Sequence, residues 1–144
     1  MGRFIELKAA DGHKLAAYVA TPAGKPRGGV VVIPEIFGVN SHIQQVTDGY
    51  AADGYLAVAP AMFDRAQRNY DTGYSQPEIQ AGVAIMQKLD PKQSMMDVQA
   101  AIAEAGKGGK VGIVGYCYGG TVSWMAAARA SGLACSVPYY GGGM

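Results

Sequence analysis

An α/β fold with a mainly parallel sheet, flanking helices and an antiparallel N-terminal hairpin is predicted by three features of this sequence. Apolar runs suited to buried strands alternate with stretches of helical period. The first two extended segments are joined through Ala10-Asp11-Gly12, a hairpin signal. A strand, a G-x-C-x-G turn and a helix then follow one another without a gap around Gly115-Tyr116-Cys117-Tyr118-Gly119-Gly120.

Phe4 to Lys8 and Lys14 to Val19 read as the two strands of the hairpin. After the turn-rich stretch Thr21 to Gly28, the run Gly29-Val30-Val31-Val32-Ile33 is apolar on both faces, as a strand in the middle of a covered sheet must be. A helix is expected over Ser41 to Asp53, and the next strand over Tyr55 to Ala59, ended by Pro60. From Ala61 to Gln76 the chain is polar and aromatic without a period, which suits a loop lying over a site. Helices are expected over Pro77 to Leu89 and Pro91 to Ala105, divided at Asp90-Pro91 because the residue before a proline disfavours helical geometry. Met96, Ala100 and Ala103 are expected on the inward face of the second. Gly106 to Gly109 breaks that helix before the strand Lys110 to Val114, and Leu133 to Val137 reads as a further strand with Cys135 in the core.

With 144 residues, 49% of them hydrophobic, the chain is about one domain and can bury a core. A formal charge of +1 gives no footprint for nucleic acid. Two cysteines make no disulfide framework, and no apolar run is long enough to span a membrane. A soluble, cytoplasmic setting without membrane or nucleic-acid partners is therefore the expectation. No cluster of His, Cys and carboxylates has metal-ligand spacing, so neither metal nor organic cofactor is expected.

The turn at Cys117 carries the chemistry. A nucleophile lifted above the end of a sheet must occupy a strained turn, and Gly115 and Gly119 let strand and helix approach it closely. The helix start brings backbone N–H groups and a positive dipole end to the thiol, favouring thiolate and able to hold a developing oxyanion. Neither of the glycine patterns that cradle phosphates is present, so a nucleotide-binding turn is the weaker reading.

On these pieces the chain resembles the dienelactone hydrolases of the α/β-hydrolase fold. Besides Gly115-Tyr116-Cys117-Tyr118-Gly119-Gly120, the match includes Ile33-Pro34-Glu35-Ile36-Phe37-Gly38, Gly54-Tyr55 followed by Pro60, and Tyr139-Tyr140-Gly141. The resemblance implies hydrolysis of a lactone or small carboxylic ester. Cys117 would be the nucleophile, Glu35 would take part in its activation, and the backbone N–H groups of Ile36 and Tyr118 would form the oxyanion hole.

The resemblance also implies that the chain corresponds to about the N-terminal three-fifths of a member, as one truncated domain over residues 1–144. The aspartate and histidine of a Cys-His-Asp triad lie beyond the position matching Tyr140 in the family, so they and the C-terminal strands are expected to be missing here. His13 reads as a turn residue and His42 as a helix-start residue, neither of them catalytic. Members acting on dienelactone clamp the substrate carboxylate with arginines, one of them on the helix after the long loop; Pro77 to Leu89 contains none. Arg65 and Arg68, earlier in the loop, read as solvated charges, and substrate-contacting residues are left open. The strand ending at Tyr140 is expected as an exposed apolar edge, favouring self-association or a complementing chain. Two other functions stay open: a non-catalytic or partner-complemented fragment, and a redox-reactive thiol at Cys117.

Overall fold

The computed structural model describes residues 1–144. Strands β1 (Arg3–Lys8) and β2 (Lys14–Ala20) form the expected hairpin, with Glu6 opposite Ala16 and Leu7 opposite Leu15. Next come β3 (Gly29–Ile33), α1 (Ser41–Ala52), β4 (Leu56–Pro60), α2 (Gln76–Met86), α3 (Pro91–Ala105), β5 (Val111–Tyr116), α4 (Tyr118–Arg129) and β6 (Leu133–Tyr139). They make one six-stranded sheet in the order β1-β2-β4-β3-β5-β6. The pairings β1 to β2 and β2 to β4 are antiparallel, and the remainder are parallel.

Alternation along β3 explains the two-layered core. Val31 and Ile33 point to the face covered by α3 and α4, where they join Val58, Val98, Ala101, Ile102, Ile113 and Val122. Val32 points to the other face and packs with Ala59, Val114 and Ile43 of α1. Burying such a side chain contributes roughly 1.5–3 kcal/mol, so an all-apolar strand is stable only with cover on both sides.

The helix starts are written locally. Asn40 accepts the backbone N–H of Ile43 at 3.1 Å before α1, and Asp90 accepts that of Lys92 at 2.9 Å before Pro91 opens α3. Glu78 reaches back to the N–H of Ser75 at 2.9 Å, so α2 starts a residue before Pro77. It ends at Met86, short of Leu89.

Two expectations about burial are corrected. The inward face of α3 is formed by Ser94, Asp97, Val98, Ala101, Ile102 and Ala105, while Met96 and Ala103 are exposed and Ala100 is only half-buried. The apolar pattern misses this because the polar Ser94 and Asp97 belong to the buried face. Asp97 is 1% exposed and pairs with Arg65, whose Nε and Nη2 donate to its two carboxylate oxygens at 2.9 Å each. Arg65 also donates to Asp11 at 2.8 and 3.1 Å, tying the hairpin turn to the long loop and to α3.

Cys135 is the second correction: it is exposed and not a core residue. On its side of the sheet α1 covers β2, β4 and β3, but no helix lies over β5 and β6, so Cys135, Val137 and Tyr139 face outward. The sheet edge at β6 is exposed and apolar as expected, with Val137, Tyr139 and Tyr140 among the exposed large side chains.

Candidate active site

Register places the site. Ile33 pairs with Gly115, Gly115 with Pro138, and Tyr116 with Tyr139, so β3, β5 and β6 end side by side. Their next residues, the Pro34-Glu35-Ile36 segment, Cys117 and Tyr140, therefore meet at one end of the sheet.

Cys117 is the N-cap of α4 and has φ 57° and ψ −118°, a left-handed conformation that a residue with a side chain adopts only under constraint. The constraint is visible in its partners. Its N–H donates to the Tyr139 carbonyl at 3.1 Å, and its own carbonyl accepts the N–H groups of Gly120 and Thr121 at 2.9 and 3.2 Å. A side chain at Gly115 would strike the Gly119 carbonyl, and one at Gly119 would strike the carbonyls of Ile33 and Pro34. The turn can therefore sit against the end of β3 only because these positions lack a Cβ. Cys117 as a residue is half-buried.

The segment after β3 brings Glu35 and the Ile36 N–H to this turn. No carbonyl receives the N–H of Ile36, and Tyr118, the first residue of α4, has no acceptor within the helix. Tyr74 donates its hydroxyl to Glu35 Oε2 at 3.4 Å and receives the Asn40 amide at 3.2 Å, while its ring meets Phe37 edge-on at 4.5 Å between centroids. The long loop is stitched to the Glu35 segment by the Gly38–Asp71 bridge and by the bond from the Thr72 N–H to the Phe37 carbonyl at 3.1 Å. Its C-terminal end thus packs against the Glu35 segment. Partial desolvation, and after it the nearby Glu35 carboxylate, raises the Tyr140 phenol above its ordinary range.

A cavity of about 480 Å³ opens beside Cys117, walled by Met86 at the end of α2, Leu89 beyond it, Met95 of α3, and Val122 and Met125 of α4. Tyr118 forms part of the wall, and burial pushes its phenol up to about 12, so it stays neutral.

Other sequence candidates lie elsewhere. His42 is exposed in the first turn of α1, and His13 follows the hairpin turn. Arg65 is not solvated, its side chain being 11% exposed between Asp11 and Asp97. Arg68 donates to the Lys14 carbonyl at 2.7 Å and lies 3.8 Å from Asp64, also at the hairpin. Sequence reasoning missed Tyr74 and Asn40 as partners of the Glu35 segment; the aromatic character of the long loop was the only signal. It missed the methionine cavity too, since Met86, Met95 and Met125 are far apart in sequence.

The model of the dienelactone hydrolase family matches residues 15–144. Carboxymethylenebutenolidase of Pseudomonas putida is 32% identical over 145 aligned residues, covering 97% of this chain and 61% of that protein. Carboxymethylenebutenolidase 1 of Cupriavidus pinatubonensis is 30% identical, covering 97% of this chain and 62% of its own length. The crystal structure of a Klebsiella pneumoniae protein assigned as a dienelactone hydrolase superposes with a TM-score of 0.80 at 28% identity, covering 98% of this chain and 60% of that one. The chain spans about three-fifths of the length of these relatives.

Proposed function

We propose that this chain, which belongs to the dienelactone hydrolase family, carries the nucleophilic half of a site that hydrolyses lactones or small carboxylic esters. The observation that carries the reading is the strained Cys117 at the start of α4, in a turn set against the Ile33-Pro34 backbone that leads into Glu35.

In the proposed reaction the Cys117 sulfur attacks the ester carbonyl carbon, and its proton passes to the Glu35 carboxylate. The carbonyl oxygen gathers negative charge between the N–H groups of Ile36 and Tyr118, whose lack of competing acceptors supports this role. Collapse of the tetrahedral adduct breaks the C–O bond and leaves a thioester on Cys117. The leaving alkoxide takes up the proton held by Glu35. Tyr74, by donating to Glu35, steers the carboxylate. Water must then cleave the thioester with the help of a general base. In this reading that base is a histidine contributed by further residues of the polypeptide or by an associated chain, since His13 and His42 lie on other elements.

A time course with an activated ester tests the proposal, with the covalent adduct followed by intact mass. The 144 residues are expected to release one equivalent of leaving group and retain one acyl group on Cys117. Cys117→Ala should lower release by roughly a thousand-fold or more. Steady turnover that depends on Cys117 would show a base within these residues. Release that survives the substitution would remove the cysteine from the mechanism.

A further inference from the structure

We propose that the acyl chain of the substrate lies in the methionine-lined cavity beside Cys117, so that uncharged esters with an aliphatic acyl chain of several carbons are preferred over anionic ones. The inference rests on Cys117 being the acylated nucleophile. Cys117 forms part of the cavity wall, which places the acylated residue at the cavity.

At about 480 Å³ the space lies within the roughly 300–1,000 Å³ usual for small-molecule pockets. Its apolar wall is Met86, Leu89, Met95, Val122 and Met125. Thioether side chains are unbranched and polarisable, and they adapt to a flexible chain better than a rigid aromatic wall does. Of the three wall hydroxyls, those of Ser94, Tyr118 and Thr121, the last already donates to the Gly142 carbonyl at 2.8 Å.

Nothing in this wall suits a carboxylate. No wall residue is cationic. An anion here would lose its hydration without gaining a counter-charge.

Acylation of the wild-type chain by the p-nitrophenyl esters of acetate, hexanoate and glutarate, the last as its anionic monoester, tests the inference. Burying added methylenes is expected to make hexanoate at least about ten-fold faster than acetate. The glutarate monoester, of similar length, should fall behind hexanoate by about ten-fold, and the gap should persist in high salt. Met125→Lys should erase the hexanoate advantage and bring glutarate forward. Met95→Gln, a milder change on another helix, should shrink the advantage if Met125→Lys fails to fold.

Equal rates for all three esters, with the adduct on Cys117, would overturn the cavity assignment and leave the nucleophile standing. So would a rate that tracks the length of the alkoxy group and ignores that of the acyl group. No adduct on Cys117 with any ester would remove both readings together.

Discussion

Toward the β6 edge of the sheet, backbone meets backbone. Gly115, Gly119 and Gly120 bring β5 and α4 against the carbonyls at the ends of β3 and β6, and no charged side chain takes part. At the β1–β2 edge the same end of the sheet is fastened by ions. Arg65 binds Asp11 and Asp97, Asp64 accepts the Ala16 N–H at 2.8 Å, and Arg68 reaches the Lys14 carbonyl. The difference teaches what each region is for. A cysteine lifted above a sheet needs close backbone approach and a fixed φ, while a long loop crossing over needs anchors that reach across sequence.

The largest expected effect is at the ionic edge. Arg65→Met leaves Asp97 buried without its partner, and urea unfolding should register a loss of about 4 kcal/mol. A loss below about 1 kcal/mol would mean that this edge, like the other, is held by packing.

Gly119→Ala is the matching test of the elbow. The added methyl must displace the Ile33 or Pro34 carbonyl, for a loss of about 2 kcal/mol that raised salt does not change. Displacement of the turn should also slow acylation of Cys117 by roughly ten-fold or more. Unaltered stability and acylation would show that the close approach is not what holds the turn.

Acid separates the two regions further. The Arg65 guanidinium beside Asp11 holds its carboxyl down at about 2, below the ordinary 3.8. A depressed carboxylate stabilises the fold above its unfolded value, and that contribution is lost as pH falls through the folded one. The thermal midpoint should therefore drop between about pH 4 and pH 2, and Asp11→Asn should remove that part of the drop. An undiminished drop in the variant would assign the acid sensitivity to other carboxylates. The smallest effect belongs to the exposed Lys14–Glu6 pair at 3.0 Å, where Glu6→Gln should change stability by less than about 0.5 kcal/mol.

What the sequence made legible divides along the same line. The elbow could be read because all its requirements fall within a few residues: an apolar strand, glycines on either side of Cys117 and a helix after it. The helix limit at Asp90 was readable for the same local reason. The ionic edge was opaque. Asp97 looks like a solvated helix residue until Arg65, 32 residues away, is found beside it. Cys135 was misread because apolar composition identifies a strand and says nothing about which face another element covers. Glu35 had meaning only through resemblance, since its contacts with Tyr74 and Tyr140 come from distant parts of the chain.

Strand order carries a consequence for how the site comes into being. β3 lies beside β5, yet α1, β4, α2 and α3 are all made between them. During synthesis the Glu35 segment can acquire its Asn40 and Tyr74 partners early and wait, because those residues emerge before β5. Cys117 gains its turn only when β5 inserts next to β3 and β6 supplies the Tyr139 carbonyl, the slow non-local pairing in this topology. A nascent chain that has not yet reached Tyr139 therefore lacks the acceptor of the Cys117 N–H, and the turn is fixed only once β6 docks beside β5.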